Sequence, residues 1–293
     1  MKRVALLVAA IAFAPAVHAQ CSFSSGPTNI NFGMYSVFSG SPVTATSTFQ
    51  VQCTFNTATV TLSRGGAPTY NPRLMTRTVT PLMTMDYNLF MDAANTTIWG
   101  DGTSGTSYLQ QFVWFFSRLN GTIYATIPAG LDIGPGTYTD TVQATVDWGN
   151  NIAQRSFTIT AAVPAECTVS TSALNFGGYD PVVANSATPK DGTATVDVYC
   201  TKGALASVAL DTGSHASGST RRMLGSSGDF LNYELYRDAS RTTVWNSTNI
   251  DTGTSASRLT PINGGFTVYG RIPAGQDVSV GNYSDTVLVT VSY

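Results

Sequence analysis

The chain repeats itself once, and the repeat is unbalanced. Asn31-Phe-Gly-Met-Tyr35 answers Asn175-Phe-Gly-Gly-Tyr179, and Tyr87-Asn-Leu-Phe-Met-Asp92 with Thr97-Ile-Trp99 answers Tyr233-Glu-Leu-Tyr-Arg-Asp238 with Thr243-Val-Trp245. Ile127-Pro-Ala-Gly130 answers Ile272-Pro-Ala-Gly275, and Gly136-Thr-Tyr-Thr-Asp-Thr-Val142 answers Gly281-Asn-Tyr-Ser-Asp-Thr-Val287. A two-copy repeat with a period of about 146 residues is too long for a solenoid unit, so each copy is a whole domain. Between the copies runs Arg155 to Val163, which alternates apolar and small polar residues as a half-buried strand does. The second copy has its matching run, Thr286 to Tyr293, at the end of the sequence, and no counterpart of 155–163 follows it. If that seam strand closes the first domain, the second is one strand short. The competing reading makes it merely the first strand or linker of the second domain.

Both copies consist of short alternating runs separated by Gly, Pro, Asn and Ser turns, with no convincing helix. The expected fold is all-β: two tandem immunoglobulin-like antiparallel β-sandwiches, the second incomplete and needing a donor strand. Met1-Lys2-Arg3, the apolar Val4 to Phe13 and the small-residue site Val17-His18-Ala19 read as a signal peptide over 1–19, so the mature chain begins at Gln20 and is exported and soluble. The expected domains are 20–163 and 164–293. Removing Lys2 and Arg3 from the 15 basic residues leaves 13 against 17 acidic, a formal charge of −4 without any basic patch, which excludes nucleic acid as a partner.

Four cysteines allow three pairings, but the duplication selects one per copy: Cys21 with Cys53 and Cys167 with Cys200, separated by 32 and 33 residues. Bridges of that span stabilise a domain by roughly 3–4 kcal/mol and suit an exported protein. No zinc or redox spacing occurs, and no cofactor or metal is implied. The mature chain has one histidine, His215, and no hydrolase, metalloprotease or phosphate-loop motif, so an enzyme is not expected. Polar residues present in both copies read as scaffold: Asp140 and Asp285 as turn residues holding backbone amides, with Arg73 and Arg222, Tyr138 and Tyr283, and Trp99 and Trp245 as packing or turn residues.

The second copy, with NFGxY, RxM, YxLYxDA, TTVW, VYGRIPAGQ and GNYSDTV…VTVSY, resembles the spore coat protein U domain family; the first copy is a more divergent member, and together they cover nearly all the mature chain. The resemblance implies a secreted subunit of archaic, Csu-type chaperone–usher pili. In such pili a periplasmic chaperone fills the groove of each incomplete sandwich, and the next pilus subunit replaces it as an outer-membrane usher assembles the fibre. Val287, Val289, Val291 and Tyr293 are then the subunit and chaperone interface. Stalk subunits carry a donor segment before their first cysteine, and here at most one residue precedes Cys21. The chain therefore looks like the two-domain tip adhesins of these pili, placed at the fimbrial tip and serving surface adhesion and biofilm formation. A structural stalk pilin and a secreted spore or cell-surface coat protein are the alternatives.

Residues present in the first copy alone are candidates for surface binding. Phe112, Val113, Trp114, Phe115 and Phe116 stand before Ser117-Arg-Leu119, where the second copy has Thr252-Gly-Thr-Ser-Ala256 before Ser257-Arg-Leu259. They read either as an exposed loop for apolar abiotic or host surfaces or as a strand buried on both faces. Val37, Phe38, Tyr70 and Trp148 are further surface candidates. A lectin pocket built from aromatic residues with Asn and Asp is the other mode of adhesion.

Overall fold

The computed structural model describes residues 20–115 and 117–293; the signal peptide expected over 1–19, and Phe116, lie outside the described residues. The first half contains β1 (Cys21–Ser25), β2 (Ile30–Met34), β3 (Val43–Cys53), β4 (Asn56–Leu62), β5 (Arg73–Arg77), β6 (Thr84–Phe90), β7 (Leu109–Val113), β8 (Arg118–Ile127), β9 (Gly136–Asp147) and β10 (Ile152–Val163). The second contains β11 (Cys167–Thr171), β12 (Lys190–Cys200), β13 (Leu205–Leu210), β14 (Arg221–Gly225), β15 (Phe230–Tyr236), β16 (Asp251–Thr254), β17 (Phe266–Ile272), β18 (Tyr283–Ser284) and β19 (Val289–Ser292). Among the described residues the one helical element is a single 3-10 turn, Ile262–Gly264.

The strand orders β1-β3-β8-β6-β5 and β11-β12-β17-β15-β14 are the same path drawn twice. In the first half the sheet curls on through β9, β10 and β2, with β4 and β7 alongside. β10 pairs antiparallel with β9 along its whole length, from Ile152 opposite Asp147 to Val163 opposite Gly136. On its other side it runs parallel to β2. Phe157, Ile159, Ala161 and Val163 point inward and are buried, while the residues between them face outward, which is the period-2 pattern expressed as packing.

The second half has no strand in that slot among its described residues, and the elements that would flank it are degraded. Leu174 and Phe176, the counterparts of β2, lie in no strand. The counterpart of β9 is split into β18 and β19, which pair with β14 and β13. A ladder needs two partners to hold a central strand straight, and here one is absent. The incomplete second sandwich expected from the sequence is what the fold contains.

Each disulfide staples the first strand of its sandwich to its neighbour in the sheet, Cys21 to Cys53 across β1 and β3, Cys167 to Cys200 across β11 and β12. Trp99 and Trp245 are fully buried and donate their indole N–H to the carbonyls of Val60 (3.1 Å) and Val208 (2.9 Å). Tyr138 and Tyr283 each donate to a carbonyl four residues back, Gly134 and Ser279, so they fix corners.

One expectation is corrected and another extended. The partner of Arg73 in the repeat is Arg221, not Arg222: each is buried and each faces the equivalent tyrosine, Tyr87 or Tyr233, across a hairpin. Asp140 and Asp285 hold backbone amides at turns, as expected, but the turns lie far away in sequence and each carboxylate also anchors a core tyrosine. Asp140 accepts from the distant Gly66 N–H at 2.9 Å and the Tyr87 hydroxyl at 2.5 Å, tying three segments of the first core. Asp285 accepts from Ser214 N–H, from the His215 ring and backbone, and from the Tyr233 hydroxyl.

Arg73 donates to the Ser63 and Trp99 carbonyls and to Asn88 Oδ1. Burial draws its guanidinium down to about 10, against the neighbouring tyrosines and carboxylates that favour the charge. Arg73→Met would strand three acceptors in the core and is expected to cost about 3 kcal/mol. Denaturant unfolding of the full chain, followed by near-ultraviolet signals, would measure it; a change below about 1 kcal/mol would mean that water replaces the guanidinium.

Candidate functional site

The slot that β10 fills in the first sandwich is a groove of about 380 Å³ in the second. Its walls are Leu174 and Phe176 on one side and Tyr283, Val287 and Val289 on the other, over a floor that includes Val196, Leu235 and Val268. Val142, Ala144 and Val146 of β9 are entirely buried, yet their counterparts Val287, Val289 and Val291 are only half-buried. Leu288 alternates outward and is exposed, as is Tyr293 at 61%. Val287 and Val289 thus line the groove; Val291 packs on the second core, and Tyr293 does not line the groove. At the bottom, burial and then the Asp285 carboxylate that accepts its hydroxyl drive the Tyr233 phenol far above its ordinary range, so it stays a neutral donor.

A second feature lies at one end of the first sandwich. β3 and β8 are antiparallel, with Val43 opposite Ile127 and Gln52 opposite Arg118. The end carrying Val43 and Ile127 abuts the second half. There the Glu166 carboxylate accepts from Ser36 Oγ and Val37 N–H, both at 2.7 Å; Arg258 donates from its backbone N–H to Asp132 at 2.9 Å and from Nε to the Gly130 carbonyl at 3.1 Å; and Lys202 pairs with Asp132 at 3.6 Å. The eleven residues of β3 put the opposite pole about 35 Å away.

That far pole is aromatic. Phe55, Phe112 and Trp114 form a closed triangle with ring centroids 5.1, 5.3 and 5.2 Å apart, all edge-to-face. The three are 55%, 39% and 63% exposed, and Phe115 beside them is also exposed. β4 and β7 bring them together, since Thr57 lies opposite Phe112 and Asn56 opposite Val113. Phe55 has φ 56, a left-handed conformation that costs a bulky residue roughly 1–2 kcal/mol. The second half has Gly203 at that place, φ 78, with Thr254 and Ala256 where Phe112 and Trp114 stand. Phe55 carried no signal in sequence, because one phenylalanine after a cysteine looks like core.

The remaining candidates fall in different places. Val113 is buried, directed inward by the pleat of β7, so the stretch is neither wholly exposed nor covered on both faces. Val37 is fully buried, its N–H held by Glu166, and Phe38 is half-buried beside it at the end facing the second half. Tyr70 is buried under the Arg73 guanidinium, which lies 5.1 Å from its ring centre. Val37 and Tyr70 are therefore packing residues, because their loops fold back over the core. Trp148 is half-buried at the β9–β10 hairpin, at the aromatic pole. The Ser-Arg-Leu match is out of register: Arg118 opens β8, and Arg258 lies five residues before its true counterpart, Asn263.

Among the described residues no cluster of three or more His, Cys, Asp or Glu side chains could hold a metal, and no helix is long and apolar enough to cross a membrane. Comparison with known proteins agrees with the architecture. The fold is similar to that of the chaperone–tip subunit pre-assembly complex CsuC–CsuE from the archaic Csu pili of Acinetobacter baumannii, with a TM-score of 0.51, 16% identity, and coverage of 94% of this chain and 100% of that one. Protein U of Myxococcus xanthus is 39% identical over 151 residues, 45% of this chain and 80% of the relative. Residues 7–145 and 153–290 match the family model described as the Spore Coat Protein U domain, and the second match begins inside β10, the strand that structurally completes the first sandwich. With both halves matched, the chain belongs to the spore coat protein U domain family.

Proposed function

We propose that this protein is the tip subunit of a chaperone–usher pilus, exported through the periplasm to the cell surface and attaching it to apolar abiotic or host surfaces in biofilms. Its domains are 20–163, an adhesive domain closed in cis by β10, and 164–293, a pilin domain. The observation that carries the reading is one groove in two states: occupied by β10 in the first sandwich, open in the second. An open sheet edge beside exposed apolar side chains is a liability that a bound strand removes. The periplasmic chaperone supplies that strand first, and the next subunit supplies it after the usher. The tip placement is supported by the aromatic triangle, which sits at the pole farthest from the pilin domain and so from the shaft of such a fibre. The similar pre-assembly complex, described as chaperone with tip subunit, is consistent with this.

Periplasmic expression of the full chain, with and without the chaperone from its own gene neighbourhood, tests the assignment. With the chaperone, a one-to-one complex resistant to protease is expected; without it, the 164–293 half should be degraded while the first half, closed by β10, persists. Equal recovery of intact monomer under both conditions would overturn the pilin reading and favour a secreted coat protein.

A further inference from the structure

The duplication exposes a pocket on the first sandwich, away from the aromatic pole. On the outer face of the second sandwich, Asp191, Glu234, Arg241 and Arg271 form a compensated charge cluster. Arg271 Nε lies 2.8 Å from Asp191 Oδ1, Arg241 Nη1 lies 3.3 Å from Asp191 Oδ2, and Glu234 stands opposite Arg271 in the ladder and pairs with buried Arg221. The register identifies the four equivalents in the first sandwich. Thr126 lies opposite Asn88 and Thr44, as Arg271 lies opposite Glu234 and Asp191. Asn95 and Arg241 both take a left-handed conformation, φ 58 and 56. Thr44, Asn88, Asn95 and Thr126 thus stand where the second sandwich has its four charged residues.

Nothing large fills the space. Where the two arginines would lie there is a pocket of about 520 Å³, whose lining includes Asn71, Asp86, Asn88, Phe90, Asn95 and Thr126. That size is ordinary for a small-ligand site. Its rim is preformed, because Asp92 accepts from the Thr96 and Thr97 amides at 3.1 and 2.7 Å and so holds the loop that presents Asn95. Amides, hydroxyls and one carboxylate share the lining with Pro72, Ile98, Pro128 and two aromatic residues, Phe90 and the buried Tyr87, whose hydroxyl is committed to Asp140; no lysine or arginine lines the pocket. The lining offers short hydrogen-bonding groups to hydroxyls and a ring face to C–H, and it has no cation to pair with an anion.

We infer that this pocket binds a neutral saccharide. It is a recognition site on the flank of the adhesive domain, distinct from the apolar contact at its pole.

An array of neutral oligosaccharides built from glucose, galactose, mannose and N-acetylglucosamine, probed with the full chain, tests the inference. The decisive variant restores the second sandwich's cluster, Thr44→Asp, Asn88→Glu, Asn95→Arg and Thr126→Arg, and thus carries its own charge compensation. A milder pair, Asn95→Ala with Thr126→Val, guards against misfolding of the first. The expected result is binding to at least one glycan by the unaltered chain, weakened at least tenfold in both variants and unchanged in Phe112→Ser/Trp114→Ser. Absence of any glycan signal from the folded chain, or the same signal from unaltered chain and both folded pocket variants, would overturn the inference. Loss in the aromatic-pole variant instead would place saccharide recognition there and equally reject this pocket.

Discussion

Copying Gly149 to Val163 directly after Tyr293 should close the second sandwich and make it stable without a partner. Tyr293 occupies the place of Trp148, so the copied turn would lead the strand back into the groove as it does in the first half. Phe157, Ile159, Ala161 and Val163 face Val142, Asp140, Tyr138 and Gly136. The repeat transfers those contacts to Val287, Asp285, Tyr283 and Gly281, and this fixes the register of any natural donor. An occupant should carry large apolar side chains opposite Val287 and Asp285 and a small one opposite Tyr283. Each large side chain moved out of water contributes about 2 kcal/mol, offset in part by the entropy of ordering the strand. The net gain of a few kcal/mol corresponds to a rise in Tm on the order of 10 °C for the second-half transition in a calorimetric scan. A copy shortened by one residue in the turn would present Thr158, Thr160 and Ala162 inward, and should give no gain. If both copies stabilise equally, general stickiness and not strand insertion is at work.

Phe55→Gly should abolish much of the adhesion while leaving the fold as stable as before. Relief of the left-handed backbone offsets the extra freedom glycine gives the unfolded chain, so stability should move by no more than about 1 kcal/mol. Removing one ring also leaves the edges of Phe112 and Trp114 without their neighbour. A single aromatic side chain in an apolar contact is worth at least about 1.4 kcal/mol, a tenfold change in retention. Phe112→Ser with Trp114→Ser should lower retention by two orders of magnitude or more. Detachment from polystyrene beads under flow, with the full chain tethered, reads this out, and thermal unfolding supplies the control. Unchanged retention in the folded variants would show that the aromatic pole is not the adhesive surface.

The strands, the repeat, the disulfides and the unequal grooves were legible because each is written locally: alternation within a strand, paired cysteines, one seam segment for two copies. The functional surface was legible only in part. Phe112 and Trp114 stood out against the paralogous copy, but Phe55 is far from them in sequence and joins them only through the β4–β7 register. Val37 and Tyr70 sit in loops rich in small residues, and nothing local marks those loops as folding back beneath a carboxylate and a guanidinium. The Ser-Arg-Leu coincidence misled by position alone, since the connections differ in length on either side of it. The flank pocket was invisible for a deeper reason. It consists of four absent charges drawn from three strands and a loop, and only the sheet register shows that they belong together.

β10 runs from the aromatic pole down the whole sandwich and leaves it at Pro164, where the chain enters the second half. If the protein is the proposed tip subunit, tension between a held pole and an anchored fibre pulls along the axis of this strand. Its bonds to β9 and β2 bear the load side by side in shear, and cannot be opened one at a time from an end. Glu166 and the Arg258 and Lys202 contacts to Gly130 and Asp132 keep the two bodies aligned with that axis. Under pull the lifetime of such a joint is set by its rate of rupture and not by its equilibrium stability. The segment that finishes the first sandwich is thus also the tether through which the whole assembly would hold on.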